Sequence, residues 1–240
     1  MDQKKTTNVN VRGIEFQLMT YTNSLELCAR MNYEVENLDF IDMMSPKDVM
    51  YDLGACEGRF SIYAAKKGIH VVAFEPERKN YSVLSQNLEL NNLDSTLIKT
   101  INAGIGAKNG KAIMKIGQPW EGGHQKVVDH NDVREDLNFN FVEEQIVDIL
   151  SLDTYISEGK HVHPNYLKID VDGSEMPFLK GAKDTLKNTK LKGIIFELND
   201  NDSNFLEIIN ILSSYGYAED RRVNVPNEPG LYNIIFSRRK

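Results

Sequence analysis

Cysteine is nearly missing from this chain: Cys28 and Cys56 are the only two in 240 residues. Two thiols cannot build a disulfide framework or a four-thiolate zinc site, so a reducing compartment is the default and the cytoplasm the expected location. Long hydrophobic runs are also missing. A bilayer span needs roughly 18 to 20 apolar residues, whereas the best candidates here are strand-like pieces such as GIIFEL at 193–198. The opening MDQKKTTNVNV carries two lysines with no apolar stretch behind them, so export by a signal peptide is not expected. Positive charge is in deficit, 28 Lys+Arg against 35 Asp+Glu for a formal −7. That balance disfavours nucleic acid or an anionic membrane as the main partner. There is no internal repeat, and biased composition is limited to small asparagine clusters.

What is present is a regular order of elements. Residues 9–20 alternate weakly around Gly13 and predict a hairpin; a helix over 24–31 follows, with Ser24 as its expected N-cap. Residues 1–45 are too few for a core of their own and are expected to form a hairpin and helix extension that caps the acceptor side or builds a dimer, with Tyr21, Tyr33 and Phe40 as lining groups. From there to residue 240 a single α/β domain is expected. VMYDLG at 49–54 is a strand ending in a glycine turn, and RFSIYAAKKG behind it has helical spacing. HVVAFEP and the helical 79–91 repeat the unit. A third strand is expected over 96–106, and KAIMKIG and EEQIVDIL predict further strands. NYLKIDVDG with SEMPFLKGAKDTLKN, then GIIFELN with SNFLEIINILSSYG, add two more units, and LYNIIFSRR predicts a last strand, for which an antiparallel run at the centre or edge of the sheet is open. This alternation indicates a mostly parallel sheet covered by helices on both faces.

In such sheets ligands bind beyond the carboxyl ends of the strands. There the chain places Asp52, Gly54 and Gly58 in a D-x-G-x-x-x-G turn between strand and helix. It is not the G-x-G-x-x-G of dinucleotide enzymes, because Cys56 stands where the second glycine admits a pyrophosphate; a nicotinamide oxidoreductase is therefore disfavoured. Glu75 ends the second strand about twenty residues later, where a carboxylate accepts hydrogen bonds from ribose hydroxyls. Turn and carboxylate together favour a nucleoside cofactor without a pyrophosphate, of which S-adenosylmethionine is the common example.

The segments YDLGACEGRFSIYAAKKG, VVAFEPERKNYSVLSQNLELNNL, INAGIGAKNGKAIM, VDILSLDTYI, LKIDVDGSEMPFLKGAKDTL and GIIFELN, in that order over roughly residues 46–200, resemble the FkbM family of S-adenosylmethionine-dependent methyltransferases. The resemblance implies a Rossmann-like class I methyltransferase fold with a seven-stranded sheet, and O-methylation of a hydroxyl on a sugar, glycan, polyketide or other small metabolite. It also implies that Asp52, Gly54 and Gly58 shape the methionine and ribose end of the cofactor site and that Glu75 holds the ribose. Asn102 and Ala103 would flank the adenine, although Ala103-Gly104-Ile105-Gly106 lacks the acidic residue that family members commonly carry there. Asp170 would face the methyl donor.

Methyl transfer is an in-line displacement, so an acceptor oxygen must be held behind the methyl and lose its proton. Candidates for that work are Asp170, Glu175, His124, His161, His163, Lys168 and Glu197, with Asp170 and Glu197 first. Each has a plainer role open to it. Lys168 can pair with Asp170, Glu175 can cap a helix, and His161 and His163 can be solvated turn residues. His124 follows Gly122 and Gly123 in a loop, with Trp120, that resembles a flexible lid over an acceptor. Asp170, Asp172 and Glu197 or Asn199 offer oxygens to a divalent metal, but nothing demands one and no metal ligands are assigned. The expected partner is a small-molecule or carbohydrate acceptor, with no nucleic acid and no membrane, and a homodimer is left open. The alternative is a non-catalytic member that keeps the cofactor fold as a binding or assembly module.

Overall fold

In the computed structural model residues 5–93, 95–129, 140–159 and 161–239 are described. A hairpin opens the chain, β1 (Thr6–Val11) pairing antiparallel with β2 (Ile14–Met19). Helix α1 (Asn23–Ala29) follows. Its cap is Thr22, whose hydroxyl accepts from Leu25 N at 3.2 Å, rather than Ser24 as the sequence suggested. A second short helix, α2 (Val35–Asp42), escaped the sequence reading. It starts from Glu34 in the left-handed region (φ 55°), a start no side-chain pattern announces.

The main sheet has seven strands. They are β3 (Val49–Leu53), β4 (His70–Phe74), β5 (Ile98–Ile101), β10 (Tyr166–Ile169), β11 (Gly193–Asn199), β12 (Tyr217–Asn224) and β13 (Leu231–Arg238), in the spatial order β12-β13-β11-β10-β3-β4-β5. Every pair from β11 to β5 is parallel, and β13 runs antiparallel to both β11 and β12, so the sheet is mixed. Strand β12 was not anticipated, since YAEDRRVN is polar and largely exposed, as befits an edge.

Alternation along the strands sorts the core into two layers. Met50, Val71, Ala73 and Ile195 point to a cluster shared with α2, α3 (Arg59–Lys66), α4 (Arg78–Leu90) and the hairpin residues Phe16 and Leu18. Tyr51, Leu53, Phe74, Ile194 and Phe196 point the other way, against α5 (Leu152–Glu158), α6 (Glu175–Gly181), α7 (Lys183–Lys187) and α8 (Phe205–Ser214). The N-terminal segment thus shares the core of one face. Asn87 of α4 and Asn91, the residue that caps its C-terminus, fasten β2, with Met19 N donating to Asn87 Oδ1 and Gln17 N to Asn91 Oδ1, each at 2.8 Å. On α2, buried Glu36 accepts from Asn233 of β13 at 2.7 Å.

The strand expected over 96–106 divides in two. The Asn102 side-chain amide donates to Glu75 O at 2.8 Å and ends β5 there. The chain then enters a second, four-stranded sheet of β6 (Gly104–Ile105), β7 (Gly110–Ile116), β8 (Lys126–Asp129) and β9 (Glu143–Leu150), in the order β6-β9-β7-β8, with Met114, Ile116, Val128, Val147 and Ile149 as its core. KAIMKIG and EEQIVDIL are its central antiparallel pair, with Ile113 opposite Ile146. Among the described residues no helix is long and apolar enough to cross a membrane.

Candidate active site

A cleft enclosing about 850 Å³ of space, part of it open to solvent, lies beyond the carboxyl ends of β3, β4 and β10. The turn after β3 forms its floor. Gly54 has φ +84°, and a Cβ there would stand 1.8 Å from the Asp170 carbonyl oxygen. Gly58 has φ +88°, and its Cβ would meet Leu84 Cδ1 at 2.2 Å. Gly54 is therefore demanded by the close approach of the turn to the backbone that follows β10, and Gly58 by its left-handed φ, whatever they do for a ligand.

Glu75 closes one end of the cleft. It is buried, with Cys56 N donating to Oε2 at 2.8 Å and Glu77 N to Oε1 at 2.9 Å. Burial outweighs those bonds and pushes its carboxyl up to about 7. Each oxygen keeps a lone pair for a further donor. Ala103, Gly104 and Ile105 line this end beside it, and Met114, Lys126 and Val128 of the second sheet close the wall. Asn102 lies outside the lining, its amide turned to the backbone of Glu75 and Pro76. The second sheet is tied in by a buried ion pair, Lys126 to Glu77 at 2.9 Å; Glu77 also caps α4 through Lys79 N and Asn80 N.

The other end is acidic. Asp52 is fully buried behind the floor, where it accepts from Ser61 Oγ at 2.6 Å and lies 3.2 Å from Lys168 Nζ. Lys168 is itself 3.4 Å from Asp170 and 3.3 Å from Gly54 O. Burial opposes its charge, but Asp52 and Asp170 outweigh it and push the ammonium above its usual range. Asp170 and Asp172 line the cleft, and Glu34 arrives from the N-terminal segment. Glu34 is held by Arg59 at 2.7 Å, and Arg59 reaches back to Glu57 at 3.0 Å, an ion triad buried at all three members. Carboxyl oxygens of Glu34, Asp170 and Glu197 lie within 4.8 Å of one another. Burial, then the charges of Asp170, Glu34 and Asp172, push the Glu197 carboxyl well above the carboxylate range. Desolvation does the same to Glu34 against the pull of Arg59. Tyr33 feels the same field, its hydroxyl raised by burial and by Glu34 and Glu197.

His124 is exposed at the rim and lines the cleft. Its loop is anchored rather than loose. Thr22 Oγ1 donates to Glu121 O at 2.8 Å, Trp120 Nε1 to Ser24 Oγ at 2.9 Å, and Gly122 N to Asn80 Oδ1 at 2.9 Å. Asn80 also donates to Cys56 Sγ and Gly123 O, joining loop, turn and α4 through one amide. Elsewhere, Glu175 accepts from Gly173 N at 3.0 Å at the start of α6, and His161 stacks on Tyr155 at 4.2 Å between ring centroids.

The structure thus gathers Gly54, Glu75, Ala103, His124 and Asp170 in the lining, sets Glu197 beside Asp170, and puts Asp52, Gly58 and Asn102 in supporting positions. The sequence reading passed over Glu34, Glu57, Arg59, Asn80, Met114 and Lys126. Glu57 and Arg59 flank Gly58 inside the recognised turn, so a charged pair there was a signal; Glu34 and Lys126 reach the cleft only through tertiary contacts.

The chain matches the model of the "Methyltransferase FkbM domain" over residues 52–218. It is 26% identical over 202 residues to "Methyltransferase 1" of Beauveria bassiana (strain ARSEF 2860), covering 78% of this chain and 80% of that protein. It is also 32% identical over 100 residues, 40% of this chain but 14% of the other, to a tRNA (guanine(37)-N(1))-methyltransferase of Leishmania major. Among solved structures, an FkbM methyltransferase from Methylobacillus flagellatus KT superposes with TM-score 0.56 at 19% identity, over 81% of this chain and 44% of that one, so the chain spans less than half of that protein. The M. jannaschii tRNA m1G37 methyltransferase gives TM-score 0.54 at 14% identity, over 100% of this chain and 58% of that one, a likeness of fold. A family match across most of the chain, a fungal methyltransferase aligned over four-fifths of its length and a shared α/β fold agree: the chain belongs to the FkbM family and is a methyltransferase, with S-adenosylmethionine the donor that membership implies.

Proposed function

We propose that the protein moves the methyl group of S-adenosylmethionine onto a hydroxyl of a sugar, glycan or other small metabolite. The observation that carries the reading is the meeting of a ribose-type carboxylate, Glu75, with a cluster of acidic side chains, Glu34, Asp170 and Glu197, around one cleft. Glu75 fits an adenosyl group because both its oxygens, already placed by backbone N–H groups, retain lone pairs for two hydroxyls. When bound, the donor supplies an electrophilic methyl on a sulfonium, and the chain's own groups do the rest. Asp170 stands at the junction of the two ends, with Lys168 fixing its position. Glu197, its carboxyl raised by burial and by the neighbouring carboxylates, takes the proton of the alcohol in its ionised form, a service worth roughly 10²- to 10⁴-fold. His124 at the rim is a second base within the same cleft.

The formal charge of −7 and the acidic acceptor end support a small acceptor over a nucleic acid. The test is calorimetric titration with S-adenosylhomocysteine, followed by transfer of labelled methyl to a panel of hydroxylated metabolites. Micromolar binding that Glu75→Ala abolishes, with label recovered as a methyl ether, is the expected result. A folded sample that binds no S-adenosylhomocysteine would overturn the reading in favour of a module without catalysis, and label recovered on nitrogen would overturn the hydroxyl as acceptor.

A further inference from the structure

We infer that the acceptor carries a positive charge, a protonated amine held by Glu34, Asp170 and Glu197 beside the hydroxyl that receives the methyl. The inference rests on the methyl-to-hydroxyl reading and names the acceptor class within it. That the cleft takes a ligand follows from the family and from Glu75; the carboxylates decide what kind of ligand the far end accepts.

Six carboxylates gather around that end, Glu34, Asp52, Glu57, Asp170, Asp172 and Glu197, against two buried cations. Both cations are committed. Lys168 lies between Asp52 and Asp170, and Arg59 between Glu34 and Glu57. Glu57 is 1% exposed and lines the cleft, yet its Oε2 accepts no hydrogen bond among the described residues. No described side chain donates to the Glu197 carboxyl, although its oxygen stands within 4.8 Å of those of Glu34 and Asp170. Like charges crowded in this way cannot all ionise unless a cation joins them. The methyl donor's own formal charge is a net plus one, which leaves most of the excess uncompensated. A phosphorylated or carboxylated acceptor would add to the repulsion, whereas a primary ammonium brings one charge and three donors to three converging acceptors.

The contribution of Glu34 is specific to this chain's N-terminal segment. It comes from outside the residues that match the family, 52–218, and holds its place through a left-handed backbone (φ 55°) and the bond to Arg59. The acceptor end is therefore built jointly by the residues that match the family and by a segment outside that match.

The probe is ethanolamine, the smallest amino alcohol, titrated at constant ionic strength into the full chain alone and saturated with S-adenosylhomocysteine. N-acetylethanolamine, with the same hydroxyl and no charge, and Mg²⁺ serve as the other arms. The expected result is binding of ethanolamine at least tenfold tighter than of its acetyl derivative, with release of close to one proton, measured by repeating the calorimetry in buffers of different ionisation enthalpy. Glu197→Gln and Glu34→Gln should each weaken it at least tenfold, and Asp172→Asn serves where those variants do not fold. Equal affinity for the two alcohols, no binding of either, or binding of Mg²⁺ alone would each overturn the inference. The S-adenosylhomocysteine titration stands apart from these arms, so loss of cofactor binding counts against the methyltransferase cleft and not against the charge of the acceptor.

Discussion

The two ends of the cleft are built on opposite principles. At the cofactor end a single carboxylate, Glu75, is surrounded by backbone, its oxygens fixed by the N–H groups of Cys56 and Glu77. At the acceptor end side chains from distant parts of the chain converge, and charge rather than backbone geometry organises them. Backbone geometry is set by a local turn and survives substitution around it. A charge cluster depends on every member, so removing one cation unbalances the rest.

The sharpest way to break this contrast is Lys168→Ala. It leaves Asp52 buried beside Ser61 without its cation, which for a buried pair costs about 3 to 5 kcal/mol. For a chain of this size that lowers the melting temperature by about 10 °C in a thermal melt, and no comparable loss is expected from Glu75→Ala. Glu75→Ala should act the other way round, modestly on stability and strongly on binding. Two charge-assisted bonds to ribose hydroxyls are worth about 3 kcal/mol together, so affinity for S-adenosylhomocysteine should fall roughly a hundredfold by calorimetry.

A third effect is pH. The Glu75 carboxyl sits at about 7 in the folded protein against an ordinary 4.5, so its contribution to folding is fully present below 4.5 and is lost as pH rises through 7. The free protein should therefore lose stability over that window in urea titrations. Ribose hydroxyls recognise the ionised form, so affinity for S-adenosylhomocysteine should weaken about tenfold per unit below pH 7. An affinity flat between pH 5.5 and 7 would show that Glu75 does not hold the ribose. The smallest effect belongs to the rim. Ser24→Ala removes the partner of Trp120 Nε1 at a cost of about 1 kcal/mol, and should raise the KM for the acceptor a few-fold with cofactor affinity unchanged.

The cofactor end was legible in the sequence because its residues are close together there. Asp52 to Gly58 is one turn, Glu75 closes the next strand, and the periodicity of α3 and α4 announces the flanking helices. The antiparallel β13 was legible too. The division of 96–106 between two sheets was not, because it depends on the Asn102 amide bonding to the chain of a different strand. Helix α2 was missed because its start is a left-handed Glu34 rather than a capping side chain, and β12 because an exposed edge strand has no apolar face to read. Glu34 and Asn80 were missed for one reason: their partners lie tens of residues away on other elements, and no spacing encodes that.

The bond between Glu36 and Asn233 spans 197 positions. Helix α2, which fixes the approach of Glu34, is thus secured by a strand far along the chain. During synthesis the nucleotide half of the cleft can assemble from neighbouring units as they emerge, while the acceptor wall waits for its closing contact. Glu34 is therefore placed by a contact between distant parts of the chain, and Glu75 by backbone of neighbouring units.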